Sequence, residues 1–379
     1  MKEYAEQDVL QLGKRIHNTK RSYLLVNPLQ AKHIPVSPTK TYEMSQALGK
    51  LLYQTAPEAR MVIGFAETAT AIAAMAAMSF PEDTVYLHTT REPLGDEPTV
   101  NFLEEHSHAV DQQIACRSIA ENGTKTIIMI DDEISTGRTI ENIVTQLRRT
   151  FPALTDVRFV VGSVMNRMEE TVRERMRQEN IEFVSLVQVQ NRDFEAAAQA
   201  FTVSEPIPAI KSGCYEPVVT SLNIPNPRTG ISVKALKDGL SLLAQETARK
   251  IFFSDRTSQK ILVLGTEECM TAAIMTGRYI EQTYPDRTVY CHATTRSPIG
   301  VCDKPDYPCK NGYQLSSFYE AGRKTYLYNI AEYDCVIVMT DSRQTEQAEQ
   351  AMRQISHLYG THCQQIYLIR GLLTVKTML

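Results

Sequence analysis

The chain alternates between short apolar runs and amphipathic stretches, a pattern typical of an α/β protein. Its clearest unit lies at residues 126–139, TIIMIDDEISTGRT. Ile127 to Ile130 are four consecutive apolar residues, too few for a helix and suited to a strand that is buried on both faces of a parallel sheet. This strand is predicted to stop at Asp131.

A helix is predicted to begin near Thr139. Beyond Gly137 the apolar residues recur at helical spacing, at Ile140, Ile143, Val144 and Leu147. An Arg148-Arg149 pair in the last turn would complement the helix dipole. The unit is therefore a strand, a loop and a helix.

Similar units recur through the first half of the chain. Apolar runs at 61–65, 84–90, 157–165 and 183–189 predict four more strands, giving five core strands with helices between them. We expect a parallel sheet that is flanked by helices.

The length of 379 residues favours two domains. A Pro-rich stretch at 204–230 is the predicted linker, so the domains are expected at 1–203 and 231–379. The second domain resembles a degenerate repeat of the first. Residues 261–276 echo 61–76, with Glu267 in the place of Glu67, and residues 335–347 echo the acidic unit with the single carboxylate of Asp341.

Composition limits the classes of function. A net charge of −4 gives no general attraction to nucleic acid. The sequence has no apolar stretch of the length that spans a membrane and no signal peptide, so a cytoplasmic protein without membrane contact is expected. Its eight scattered cysteines are expected to be reduced thiols.

The residues after the central strand suit a sugar phosphate. A loop that enters a helix N-terminus presents N–H groups and a partial positive charge to a phosphate, and residues 135–139 add hydroxyl donors. Gly137 lets the backbone approach a ligand closely. Asp131 and Asp132 can accept hydrogen bonds from sugar hydroxyls and stabilise a cation. The alternative is an acidic strand end with an ordinary helix cap.

This combination resembles the signature of the type I phosphoribosyltransferases, and in particular that of orotate-phosphoribosyltransferase-like domains. The resemblance implies that Asp131 and Asp132 hold the ribose of phosphoribosyl pyrophosphate (PRPP) and Mg²⁺ as catalytic and metal-binding residues. It assigns the 5′-phosphate to a loop made of Ser135, Thr136, Gly137, Arg138 and Thr139.

The resemblance also assigns the pyrophosphate. The loop after the 61–65 strand would bind it through Glu67, Thr68 and Ala69, although Thr68 could equally be an ordinary helix cap. The long polar stretch 91–109 is expected to be a mobile lid. Arg91 is its candidate catalytic cation, and His106 and His108 are further candidates.

Lys32 and His33 lie in a Pro-rich loop where the resemblance implies a hood over the acceptor. They are candidates for contacts to an acidic or carbonyl-bearing acceptor. A solvated loop is an equally good interpretation of the same residues.

The tetrapeptide Thr295-Arg296-Ser297-Pro298 resembles the signature of the TRSP domain, which follows orotate-phosphoribosyltransferase-like domains in tellurium-resistance-associated gene clusters. This context implies a role in nucleoside-like metabolite biosynthesis. Thr295, Arg296 and Ser297 could bind a second ligand such as a phosphate; the alternative is a strand-end turn.

The leading hypothesis is a PRPP- and Mg²⁺-dependent phosphoribosyltransferase acting on a small nucleobase-like acceptor, or catalysing the reverse reaction. The alternative is a non-catalytic regulator or scaffold that binds PRPP or a nucleotide. Partners are expected to be a second copy of the chain or enzymes of the same gene cluster. One PRPP per chain is expected, because the repeat has Glu346 where the first domain has Gly137.

Overall fold

The computed structural model describes residues 2–18, 21–102, 112–210, 217–252, 257–360 and 363–371. The first half contains α1 (Glu6–Val9), β1 (Gln11–Lys14), β2 (Tyr23–Val26), α2 (Pro38–Thr55), β3 (Met61–Gly64), α3 (Thr70–Ala77), β4 (Val85–His88), β5 (Thr99–Phe102), β6 (Gln112–Ala115), α4 (Arg117–Asn122), β7 (Thr126–Ile134), α5 (Arg138–Thr150), β8 (Arg158–Asn166), α6 (Glu170–Gln178), β9 (Ile181–Gln188) and α7 (Phe194–Gln199). A 3₁₀ turn at Pro152–Leu154 follows α5.

The second half contains β10 (Ile207–Pro208), β11 (Val218–Leu222), β12 (Ile231–Ser232), α8 (Val233–Phe252), β13 (Lys260–Gly265), α9 (Met270–Thr283), β14 (Thr288–Ala293), β15 (Gly312–Ser316), β16 (Lys324–Tyr328), β17 (Cys335–Thr340), α10 (Glu346–Tyr359) and β18 (Gln365–Gly371). No helix of the described residues is long and apolar enough to cross a membrane.

The five predicted core strands form one sheet in the order β4-β3-β7-β8-β9, and all neighbouring pairs are parallel. Alternate residues of β7 enter different cores, because successive side chains of a strand point to opposite faces. Ile128 and Ile130 belong to one apolar cluster, and Ile127 and Met129 to another. Burial on both faces explains the continuous apolar run that predicted this strand.

The predicted end of the central strand at Asp131 is wrong. β7 continues through the acidic residues to Ile134, which is buried and pairs with Asn166 of β8. The acid pair therefore lies on a hydrogen-bonded strand, which holds its backbone more firmly than a loop would.

The second sheet repeats the topology of the first. Its parallel order, β14-β13-β17-β18, matches β4-β3-β7-β8 strand for strand. Each half also places an antiparallel pair, β5-β6 or β15-β16, before the strand that carries the acidic residue. The fifth strand differs between the sheets. In the first sheet β9 lies beside β8, whereas in the second sheet the strand beside β18 is β11, which precedes the other strands of that sheet in the chain. The predicted degenerate repeat is confirmed at the level of fold.

Residues 204–230 do not form a simple linker as the sequence predicted. β10 pairs with β15, and β11 pairs along its length with β18. The next strand, β12, returns to the edge of the first sheet beside β4. The described strands of the stretch therefore pair with the second half, and the pairing with the first half begins just beyond it at β12. The domain boundaries at 203 and 231 stay a prediction.

Helices between the two sheets join the halves. α9 packs against α2 and α3 of the first half and against α8 of its own half. Apolar residues of both sheets and of these helices form one continuous cluster. Burial of this size makes the two halves one structural body, because separating them would expose the cluster to water.

Candidate active site

A cavity of about 410 Å³ opens at the carboxyl ends of β3, β4 and β7. This is the edge at which ligands bind in open parallel sheets. Its lining residues come from both halves of the chain: Arg15, Asn18, Arg21, Leu24, Leu25, His33, Phe65, Ala66, Glu67, Thr68, Arg91, Phe102, Gln112, Asp131, Asp132, Glu133, Ser135, Thr139, Arg296, Ser297 and Pro298.

The acid pair lies on the floor of this cavity. The Asp132 N–H donates to Asp131 Oδ1 at 2.9 Å. The hydroxyl of Thr68, in the neighbouring loop, donates to Asp132 Oδ1 at 2.8 Å. Two carboxylates are thus held side by side against a cavity, where they can accept hydrogen bonds from a ligand's hydroxyls.

The predicted phosphate loop lies directly beside the pair. Ser135 and Thr139 line the cavity, and Thr136 and Arg138 complete the loop with Gly137. Gly137 caps α5 with a φ of 77°, a left-handed conformation that favours glycine. α5 runs for 13 residues from this cap, so its N-terminus presents N–H groups and a positive dipole end to an anion.

The second predicted loop connects β3 to α3. Thr68 does not cap α3, because the helix begins at Thr70 with Ala69 as its N-cap. Ala69 is buried, and a cis peptide bond joins Ala66 to Glu67. Thr68 instead contacts Asp132, so this loop and the acid pair form one hydrogen-bonded unit.

The expectation for Lys32 is wrong. Its side chain is fully buried and forms an ion pair with Glu67, and its Nζ donates to the carbonyls of Glu267 and Thr294 at 3.2 Å each. Burial lowers the pKa of Lys32. The residue therefore links the first half to the second, and it is not among the residues that line the cavity.

His33, by contrast, lines the cavity while being almost completely buried. Burial, reinforced by the Lys32 cation, lowers the pKa of His33 to about 3. The imidazole is neutral at physiological pH. Both ring nitrogens are buried, and neither has a hydrogen-bond partner among the described residues.

Sequence patterns missed the residues at the tip of the β1-β2 hairpin. Arg15, Asn18 and Arg21 line the cavity opposite the sheet. Arg21 donates to both oxygens of Glu133, at 2.7 and 2.8 Å, and Glu133 raises the pKa of Arg21 against the opposing effect of burial. The polar N-terminal segment carried no periodic signal that could have placed these side chains.

Arg296 and Ser297 do not form a separate site in the second half. They and Pro298 line the same cavity as the acid pair. Thr295 is buried, and its backbone pairs with Tyr326. The tetrapeptide is therefore one wall of the first-half cavity.

Nine charged residues form a buried cluster between the halves, which we call the interface ion cluster. Its members are Lys32, Arg228, Arg296, Arg323, Glu67, Glu92, Glu267, Glu268 and Asp341. Burial alone would raise the pKa of Glu67, but Lys32 and Arg296 outweigh it and lower that pKa to about 2. Burial raises the pKa of Glu267. The ion pairs with Lys32 and Arg296 therefore keep the carboxylate of Glu67 charged.

The hydrogen-bond ladders correct the predicted equivalence of Glu67 and Glu267. Gly64 and Gly265 occupy matching positions, since their carbonyls accept from the N–H groups of Thr89 and Thr294. The residue three positions beyond Gly64 is Glu67, and the residue three beyond Gly265 is Glu268. Glu67 is therefore equivalent to Glu268.

The same register makes Asp341 the counterpart of Asp132, because Ile130 pairs with Gly64 as Met339 pairs with Gly265. Arg228 forms an ion pair with Asp341, and Tyr319 donates to it at 2.5 Å. Protein side chains thus occupy the position where the first half has a cavity.

Residues 9–192 match the family model described as phosphoribosyl transferase, and residues 226–356 match that of the TRSP domain located C-terminal to it. No curated protein sequence matches the chain. Similar solved structures include the APRTase of Giardia lamblia complexed with 9-deazaadenine, at 14% identity and a TM-score of 0.35 over 47% of this chain and 94% of that one. The orotate phosphoribosyltransferase of Aeropyrum pernix is 16% identical with a TM-score of 0.30, over 52% and 96% of the two chains.

Proposed function

Because the first half of this chain belongs to the phosphoribosyl transferase family and its second half to the TRSP domain family, we propose that it transfers the phosphoribosyl group of PRPP to a nucleobase-like nitrogen acceptor. The reverse reaction would use the same site. The observation that carries the proposal is one cavity in which the Asp131-Asp132 pair meets the N-terminus of α5.

These features match the chemistry of the substrate. The carboxylates of Asp131 and Asp132 accept hydrogen bonds from the two ribose hydroxyls, and the 135–139 loop donates to the 5′-phosphate. The loop of Glu67, Thr68 and Ala69 contacts the pair through the Thr68 hydroxyl, which suits the pyrophosphate. The three loops together span one phosphoribosyl group and its leaving group.

In the proposed reaction an acceptor nitrogen forms a bond to C1 of the ribose while the bond from C1 to the pyrophosphate oxygen breaks. The acceptor nitrogen releases its proton to solvent, and pyrophosphate leaves with the bonding pair. Positive charge develops on the ribose ring, and the carboxylates of Asp131 and Asp132 stabilise it because they are already fixed in place on β7.

The residues present fit Mg²⁺. Asp131 and Asp132 offer hard carboxylate oxygens, and Mg²⁺ is commonly held by one or two carboxylates together with substrate oxygens. The described residues contain no group of three or more potential ligands that would hold a metal alone. A bound Mg²⁺ would offset the negative charge of the leaving pyrophosphate.

Two groups complete the proposed site. Arg91 lines the cavity after β4, and its backbone N–H is held by Glu268 at 3.1 Å, which suits a cation for the pyrophosphate. His106 and His108 lie outside the described residues. On the acceptor side we place His33, whose neutral imidazole lines the cavity together with the apolar Leu24 and Leu25.

The test is an assay for pyrophosphate release with PRPP, Mg²⁺ and a panel of nucleobases. Replacing both Asp131 and Asp132 by Asn should leave the fold intact and lower turnover about 10²-fold or more, since each lost contact is worth on the order of 3 kcal/mol in the transition state. A matched control is Asp303→Asn with Asp306→Asn, which makes the same charge change at exposed positions.

Near-normal kinetics of the Asp131/Asp132 variant would contradict the assignment. Binding of PRPP without pyrophosphate release, for every acceptor tested, would instead support the rival interpretation of a regulator or scaffold.

A further inference from the structure

We propose that Arg296, in the second half of the chain, is a positioning residue for the phosphoribosyl site of the first half. It acts by holding Glu67 and, through the adjacent Thr68, the carboxylate of Asp132. The inference rests on the proposed function and assigns the TRSP tetrapeptide a role in it.

The contacts of Arg296 bridge the two halves. Its side chain forms an ion pair with Glu67, and its backbone N–H lies 3.3 Å from both oxygens of that carboxylate. Its Nη2 donates to Glu268 Oε1 at 3.0 Å. Only 10% of the Arg296 side chain is exposed, and that part faces the cavity.

These contacts lead directly to the acid pair. Glu67 is followed by Thr68, whose hydroxyl donates to Asp132. A shift of Glu67 would therefore move the hydroxyl that orients Asp132. Arg296 also neutralises the charge of Glu67, which lies in the loop proposed to receive the pyrophosphate.

The neighbouring residues hold Arg296 in place. The hydroxyl of Tyr328 donates to the carbonyl of Ser297 at 2.8 Å. The carbonyl of Pro298 accepts from the N–H of Ile16 at 3.0 Å, so the tetrapeptide also anchors the hairpin that carries Arg15. The wall of the cavity is thus fixed from both halves.

The mirrored contact shows that the arrangement belongs to the repeat. Glu268 accepts from the N–H of Arg91 and from the hydroxyl of Thr90 at 2.6 Å, just as Glu67 accepts from Arg296. Each half thus binds an arginine of the other half: Glu67 binds Arg296, and Glu268 binds Arg91. Only the contact through Glu67 reaches an open acid pair, because Asp341 in the second half is bound by Arg228.

The experiment is a double-mutant cycle of Arg296→Met and Glu67→Gln, with the dissociation constant of PRPP and Mg²⁺ measured by calorimetry. In the wild-type background Arg296→Met should weaken binding about tenfold or more, since it leaves the buried Glu67 carboxylate short of a partner. In the Glu67→Gln background the same replacement should change binding by about twofold or less, because the charge that Arg296 neutralises is already gone.

Arg323→Met is the matched control. Arg323 belongs to the same ion cluster, where it pairs with Glu92 and Glu267 at 3.1 Å or closer, but it is not among the residues that line the cavity. It should lower the melting temperature as Arg296→Met does, yet change PRPP binding by no more than about twofold.

Equal losses of PRPP binding in both arginine variants, or additive effects in the cycle, would overturn the inference. Should Arg296→Met fail to fold, Arg296→Lys replaces it, because lysine keeps the charge but cannot bridge both carboxylates. A wild-type protein that does not bind PRPP would refute the proposed function itself, and that outcome is distinguishable from a failed cycle.

Discussion

His33 and His292 are two buried histidines whose protonation opposes folding. Burial lowers the pKa of each to about 3, and the nearby Lys32 cation acts in the same direction. An unfolded histidine titrates near pH 6.5. Between about pH 3 and 6.5 the unfolded chain therefore binds more protons at these two positions than the folded chain, and the free energy of unfolding falls as the pH is lowered.

Between pH 7 and pH 5, each histidine should lower the free energy of unfolding by on the order of 2 kcal/mol. Denaturant titrations at both pH values measure the loss. His33→Gln and His292→Gln should each remove part of the difference, and the double variant most of it. A double variant with the wild-type pH dependence would show that the imidazoles are not the cause.

For individual residues, the sequence was informative where the residues of one site are neighbours in the chain. Asp131, Asp132 and the 135–139 loop are neighbours in the chain, so it could be predicted that they lie together, and four of these residues do line one cavity. Their common role stays a prediction. Lys32 was misassigned because its partners, Glu67 and the carbonyls of Glu267 and Thr294, are set by the packing of the two halves. The same holds for Arg296, which lies 229 positions from Glu67.

The element on which the site depends is the turn from β7 into α5. Gly137 adopts a φ of 77° there, and a Cβ atom at this position would lie 2.7 Å from Met168 Cε and 3.1 Å from its sulfur. Met168 is flexible and can move partly aside. The left-handed backbone remains costly for any other residue.

Gly137→Ala should therefore destabilise the fold by about 1–2 kcal/mol and also weaken binding of ribose 5-phosphate. Gly123→Ala is the control. It places alanine at a φ of 64° with no atom within 4 Å and lies at the end of α4, so it measures the backbone cost alone. Chemical denaturation and calorimetry give the two quantities, and equal phosphate binding by both variants would contradict the assigned phosphate loop.

Elements with strong periodic or continuous apolar patterns were predicted well. The parallel strands β3, β4, β7 and β8 are buried along most of their length, and α5 buries one apolar stripe. Two short strands were missed: β1 carries little apolar signal, and β11 has apolar residues but is largely exposed and lies in the Pro-rich stretch. The prolines near β10 and β11 favoured a linker, although the same stretch forms sheet pairs.

In the whole molecule, two similar halves share one core while their sites differ. The repeat could be predicted because both halves keep the order of strand, loop and helix. It could not be predicted that side chains occupy the equivalent position in the second half, because Arg228 reaches Asp341 from a stretch that looked like a linker. The second half is thus a structural counterpart that supports the site of the first.

Calorimetric titration with PRPP and Mg²⁺ tests directly whether each chain has one phosphoribosyl site, in its first half. We predict a stoichiometry of one per chain, because the repeat binds Asp341 to Arg228 and has Glu346 where the first half has Gly137. The site should be lost in the Asp131→Asn, Asp132→Asn variant. Two equivalent sites, or one site that persists in that variant, would contradict a single site in the first half.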